Sequence, residues 1–287
     1  MPLLLKHILV LCRLPIAAMT GFSALTGCLL ASSRSPLFAL GVGSAVAALA
    51  AGASALNQVQ ERDIDGRMAR TRNRPLPRGA LSPVQGFALA LGLVVSGLAL
   101  LSFFGMLPLA LGIGAVIWYN GVYTPLKRRT AFAAVPGGLV GMIPPAIGWT
   151  AAGGALSDPR LLAVCSFFFL WQVPHFWLQL LHHGEEYEQA GLPSLTRKLG
   201  RPVVCRLTYA WTFAAAVSAL LLPLFGAITS PRRYALLVPA VIIVTAAGFL
   251  LLPSRSKDRT QSAFRLVNAY LLLVLSLLSV EGLLRMP

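Results

Sequence analysis

Long apolar blocks, separated by short basic connections, fill most of the chain. A hydrocarbon core of about 30 Å takes about 20 helical residues per crossing. Blocks of that length predict nine transmembrane helices, near 14–33, 36–56, 84–103, 106–124, 132–152, 160–181, 207–227, 234–253 and 264–284, the third and fourth being divided around Gly105. Gly and Pro inside the blocks are compatible with spanning helices, because neighbouring helices can satisfy the backbone groups they free. Lys6 and Arg13 ahead of the first block look superficially like a signal peptide, but no small-residue cleavage site leading into a soluble domain follows, so the block reads as a retained first span. The predicted fold class is therefore all-α: a polytopic integral membrane protein forming a single transmembrane domain over 1–287, with no room for a soluble domain between spans.

Composition agrees. Of 287 residues, 56% are hydrophobic and 11% charged, with mean hydropathy +0.74, whereas a soluble domain carries roughly a quarter charged residues. A net charge of +15 could suggest nucleic acid, but its placement indicates membrane topology and no nucleic-acid partner. Most of the 24 Lys and Arg fall at the N-terminus or after even-numbered spans. Arg34, Arg160, Arg232, Arg233 and Arg285 lie on the other side. The positive-inside rule puts the N-terminus in the cytoplasm and the C-terminus outside, as an odd number of spans requires. Cys12, Cys28, Cys165 and Cys205 are scattered and read as small apolar residues rather than as a zinc site or a disulfide framework.

The acids change the picture. Of nine, six sit in two clusters on the predicted cytoplasmic side: Glu61, Asp63 and Asp65 after the second span, and Glu185, Glu186 and Glu188 after the sixth. Topology needs no acids, since Asp and Glu contribute little to orientation. If the second span continues as a helix, Asn57, Glu61 and Asp65 recur at i, i+4 and i+8 on one face, while Asp63 points elsewhere. Such oxygen donors suit Mg²⁺, a hard cation shared between carboxylates, water and substrate phosphates. His182 and Glu186 share a second face, flanked by Glu185 and Gln189, so the two clusters could grip a diphosphate through bridging magnesium ions. Arg70 and Arg74 repeat the i, i+4 step, and Arg suits phosphate oxygens through paired donors. The segment Tyr123–Thr130, with Lys127 and Arg128, offers a third wall. The competing readings are a salt-bridged cap at the membrane border and an ion-coupled transporter. A transporter's acids tend to lie near the bilayer midplane, whereas these lie at span ends beside arginines.

The pattern NxxxExDxDxxMxRTxxRP, as it stands at 57–75, resembles the first signature of the UbiA-type intramembrane prenyltransferases. Tyr123-Thr124-x-x-Lys127-Arg128-x-Thr130, the Gly/Pro run from Gly137 to Trp149, Trp171-Gln172-x-Pro174-His175-Phe176 and Glu186-Tyr187-x-x-Ala190-Gly191-x-Pro193 are similar to the heme-farnesylating branch of that family, in its order and spacing. The resemblance implies a nine-helix bundle around a central cavity open to lipid, farnesyl diphosphate as donor, heme B as acceptor and Mg²⁺ as cofactor. Heme-handling or oxidase-assembly proteins are expected as transient partners, and the short N-terminus without a transit sequence points to a bacterial inner membrane. Asn57, Glu61 and Asp65 match the first metal–diphosphate motif, and Glu186, beside Glu185, matches the second. Arg70, Arg74, Lys127 and Arg128 match the basic positions facing the diphosphate, with Tyr123 beside them. Trp171, Gln172 and His175 are the acceptor candidates, His175 either as a heme ligand or as a packed core histidine. The chain departs from the family in carrying Glu61 and Glu186 where Asp is usual, Ala133-Ala134 where Asn-Thr is common, and Ser194 for Met. A sister activity on a quinone precursor or other aromatic acceptor is the nearest alternative.

Overall fold

The computed structural model describes residues 3–31, 34–251 and 257–285, and every regular element among them is helical. The ends of the first and eighth predicted spans, at 32–33 and 252–253, lie outside the described residues. A short helix, α1 (Leu3–Cys12), precedes the first spanning helix, α2 (Leu14–Ala31), and was not anticipated from the sequence. The chain then forms α3 (Pro36–Gln60), a single turn α4 (Arg62–Asp65), α5 (Pro83–Ser102) and α6 (Met106–Val116). From α6 it continues without a loop through a π-helical segment, Ile117–Tyr123, into α7 (Thr124–Lys127). The second half comprises α8 (Ala134–Ala151), α9 (Pro159–Gln189), α10 (Leu195–Leu199), α11 (Arg201–Ser218), α12 (Leu221–Leu224), α13 (Pro231–Leu251) and α14 (Lys257–Leu284).

Each predicted block holds one helical span. Among the described residues, eight spans have the length and apolarity to cross a membrane. The ninth helix, α8, has 18 residues that include Pro144 and Pro145, and it packs between α2 and α9. Starts are set locally by a cap followed by proline. Ser35 and Pro36 open α3, Ser82 and Pro83 open α5, and Asp158 and Pro159 open α9. In each, a side-chain oxygen takes a free N–H while proline gives up none that the helix needs. Gly105, at φ 122, makes the reversal between α5 and α6 that a side chain would strain.

Small residues let helices approach closely. A Cβ on Gly148 would collide with the Ala24 carbonyl, and one on Gly27 with the Pro145 carbonyl, so α2 and α8 touch backbone to backbone. The outer surface is the converse. Leu37, Val84, Phe103, Met106 and Leu224 stand exposed around the bundle, a belt far larger than water tolerates and suited to lipid. The chain is an integral membrane protein.

Candidate functional site

Between α2, α3, the π segment, α8, α9 and α14 lies a cavity of about 1080 Å³, at the upper end of the range for ligand pockets. One end is polar, with Glu61, Asp65, Arg70, Arg74, Lys127 and Tyr187 on its wall. Farther in, Met19, Val46, Leu49, Ile147 and Phe168 make the wall apolar.

The polar end is built where α3 stops. Glu61 leaves the helical conformation at φ −106, ψ 10, yet its N–H still donates to the Asn57 carbonyl at 2.9 Å, and the Asp65 N–H to the Glu61 carbonyl at 2.8 Å. The four-residue step therefore survives the break and keeps the side chains on one side. Glu61 and Asp65 reach the cavity wall, and Asn57 stands behind them, fully buried. Its Nδ2 donates to Glu61 Oε2 at 2.9 Å and to Thr124 Oγ1 at 3.0 Å, while its Oδ1 has no hydrogen-bond partner. Each wall carboxylate faces a cation: Lys127 Nζ lies 2.7 Å from Glu61 Oε1, and Arg74 Nη1 lies 2.7 Å from Asp65 Oδ2. Two carboxylates with a buried amide oxygen lacking a partner form a hard donor set, which fits Mg²⁺. Among the described residues, no group of three or more His, Cys, Asp or Glu converges on one point.

Arg70 and Arg74 do not stand on a helix, contrary to the expected i, i+4 step. Gly66, Pro75, Pro77 and Gly79 break the segment into successive turns, with Gly79 at φ 75. Both arginines still reach the cavity wall. The same turns deliver Arg70 to the second acidic cluster, which the continuous helix α9 carries past the apolar part of its span. The Arg70 backbone N–H donates to Glu186 Oε2 at 3.1 Å, across 116 residues of sequence. Arg70 Nη2 lies 3.4 Å from the Tyr187 hydroxyl, and His183 Nδ1 lies 3.4 Å from Glu186 Oε1. The Arg70 segment therefore ties the second acidic cluster to the polar end of the cavity. Glu186 stands just behind the wall, and Glu185 is exposed outside it.

The π segment supplies the third wall. Such single-turn insertions frequently mark functional sites. Here Asn120 is fixed by hydrogen bonds to the Ala53 carbonyl and to Gln60. Tyr119 stacks on Tyr123 at 5.8 Å, Tyr123 on Phe176 at 5.5 Å, and Lys127 Nζ lies 5.0 Å from the centre of the Tyr123 ring. Neighbouring Arg128 turns away, making a two-armed pair with Asp63 at 2.9 and 3.3 Å on the exposed side. Burial works to raise the Asp63 carboxyl, but the hydrogen bonds and charge of Arg128 outweigh it and hold it below its usual range.

Trp171, Gln172 and His175 all line the cavity from α9. Trp171 Nε1 donates to the Val267 carbonyl at 2.9 Å, and His175 Nδ1 lies 2.9 Å from Asn268 Oδ1. Asn268, Gln179 and Arg13 line the cavity although sequence reasoning did not place them there. Asn268 is a lone amide in an apolar span, and that isolation was the available signal. Arg13 looked like a topology marker; it lines the cavity at the break between α1 and α2 with φ 46, a left-handed backbone that nothing in the sequence flags.

The UbiA prenyltransferase family model matches residues 20–273. The chain is 44% identical over 262 residues to the protoheme IX farnesyltransferase of Geobacter sulfurreducens, covering 91% of this chain and 94% of the relative. It is 36% identical over 282 residues to the protein of that name from Nitratidesulfovibrio vulgaris strain DP4, covering 97% and 96%. Among solved structures, a digeranylgeranylglyceryl phosphate synthase superposes with TM-score 0.77 at 19% identity, covering 97% of this chain and 98% of the other. A UbiA homologue from Archaeoglobus fulgidus bound to GPP and Mg²⁺ superposes with TM-score 0.68 at 14% identity, covering 95% and 99%.

Proposed function

The chain belongs to the UbiA prenyltransferase family, and on that premise we propose that it transfers the farnesyl group of farnesyl diphosphate to a vinyl group of heme B, giving heme O and diphosphate. The names of its relatives support the acceptor. The observation that carries the reading is the Arg70 N–H to Glu186 contact at 3.1 Å, because it closes two distant polar segments over one end of an apolar chamber. The diphosphate lies at that end, facing the cytoplasm of a bacterial inner membrane, and the farnesyl chain lies in the apolar part. One transmembrane unit spanning 1–287 does both jobs.

Glu61, Asp65 and the Oδ1 of Asn57 would hold Mg²⁺, and Glu186, bonded to the Arg70 N–H, would complete the site. The metal ion, when bound, withdraws charge from the diphosphate oxygens as a Lewis acid. Arg70, Arg74 and Lys127 exchange protein partners for phosphate oxygens, and Arg13 adds positive charge from α2's side. As the C1–O bond breaks, the electron pair leaves with the diphosphate and these cations meet it, a contribution of about 3 kcal/mol per well-placed donor. Farnesyl C1 becomes cation-like beside the faces of Tyr119, Tyr123 and Phe176. The vinyl carbon forms the new C–C bond, and the positive charge moves to the carbon next to the porphyrin. Water adds there and loses a proton. Apolar walls keep water from C1 until the vinyl group has attacked.

Expression in a host lacking its own enzyme tests the reading: extracted heme becomes heavier and more hydrophobic. Unchanged heme B, with the protein shown to be inserted, counts against it. Labelled farnesyl diphosphate offered with competing aromatic acceptors separates heme from the quinone-precursor alternative.

A further inference from the structure

His175 is held between α9 and α14. Trp171 and Phe264 pack against its ring at 4.8 and 4.9 Å between centroids, and its two nitrogens face two different amides. On one side, Asn268 Oδ1 lies 2.9 Å from Nδ1. The orientation of that amide is fixed independently, because Asn268 Nδ2 donates to the Phe264 carbonyl one turn back at 2.8 Å. Only the oxygen is left to face the ring, so Nδ1 must carry the proton. On the other side, Gln179 Nε2 donates to His175 Nε2 across 3.4 Å, a long contact that takes up the lone pair of that nitrogen and that a ligand to it displaces. Asn268 specifies the tautomer, and the Gln179 contact is compatible with it. His175, Asn268 and Gln179 all border the cavity.

The location fits. His175 lies 5.8 Å from Phe176, which stacks on Tyr123, which in turn lies beneath Lys127. The imidazole is thus two aromatic rings from the diphosphate end. From this we infer that Asn268 is a positioning residue: it fixes His175 as the Nδ1–H tautomer, so that Nε2, once released from its long contact with Gln179, ligates the iron of a metalloporphyrin acceptor. A second group that orients a ligating imidazole through its other nitrogen is a general requirement at iron and zinc sites. The inference rests on the heme reading above, and it adds a residue that acts only through another.

The test is titration of ferric heme B into the purified full-length protein in detergent, followed by optical and electron paramagnetic resonance spectra. Wild type gives the signature of a nitrogen axial ligand. His175→Ala loses it, and added imidazole restores it. Asn268→Leu weakens heme binding by about 10–100-fold, the range for losing such a supporting partner, and leaves binding of labelled farnesyl diphosphate at the wild-type level. Asn268→Asp presents a carboxylate to the same N–H, makes the ring a stronger donor and lowers the reduction potential of bound heme. An unaltered spectrum and affinity in Asn268→Leu, or an unmoved potential in Asn268→Asp, overturns the inference. So does wild type that farnesylates heme without a nitrogen-ligand spectrum, which leaves the proposed function standing. Wild type that neither binds nor farnesylates heme sinks the acceptor assignment itself.

Discussion

Glu61 touches Lys127 at 2.7 Å and Asn57 at 2.9 Å, and Asn57 links it to Thr124. Glu61→Gln keeps the shape but removes the charge that a metal ion needs. Prenyl transfer in isolated membranes should fall at least about 100-fold with insertion retained; normal turnover would remove Glu61 from the site. Lys127 and Arg128 are adjacent in sequence and opposite in placement. Lys127→Ala should therefore lower the transfer rate by a similar factor, while Arg128→Ala, which opens the exposed contacts with Asp63 and the Gln60 carbonyl, should stay near wild type. Equal losses would mean that Arg128 swings into the cavity with substrate. The Asp63 carboxyl is held low by Arg128, so the pair's small contribution is present above the unfolded value of about 3.9 and is lost only as the pH falls through the lower folded one. Comparing the two variants at pH 6 to 8 therefore keeps the Arg128 pair intact in the reference protein.

At the scale of elements, the chamber depends on how closely α2 and α8 approach. Gly148→Ala puts a methyl group against the Ala24 carbonyl, and overpacking of that kind costs about 1–3 kcal/mol. Gly92→Ala on exposed α5 meets nothing within 4 Å and should cost no stability. Thermal unfolding of the two purified variants in one detergent checks the contrast, and indistinguishable midpoints would deny that backbone contact holds these helices. The π segment has a different task. Through it Asn120 faces α3 while Tyr119 and Tyr123 face the cavity.

For the whole molecule, the separation of charge is the organising fact. One end gathers Glu61, Asp65, Arg70, Arg74 and Lys127 around the chamber. The other has buried Glu281 clamped by Arg233 at 2.6 Å and Arg285 at 3.1 Å, a structural pairing that leaves no buried charge alone. A reaction that depends on divalent cation at the first end predicts that chelation abolishes prenyl transfer and that added Mg²⁺ restores it, measured with labelled farnesyl diphosphate. Full activity in excess chelator would be incompatible with the donor set described.

Much was settled by local order along the chain. Apolar block lengths gave the spans because a bilayer fixes the length of a crossing, and the four-residue step gave the face of Asn57, Glu61 and Asp65 because a helix repeats at that interval. The single-residue distinctions were another matter. That Lys127 lines the wall and Arg128 does not, that Arg70 reaches Glu186 from a chain of turns, and that Arg13 and Asn268 belong to the chamber all depend on which helices become neighbours. Packing between segments far apart in sequence decides that, and no periodicity within one segment contains it.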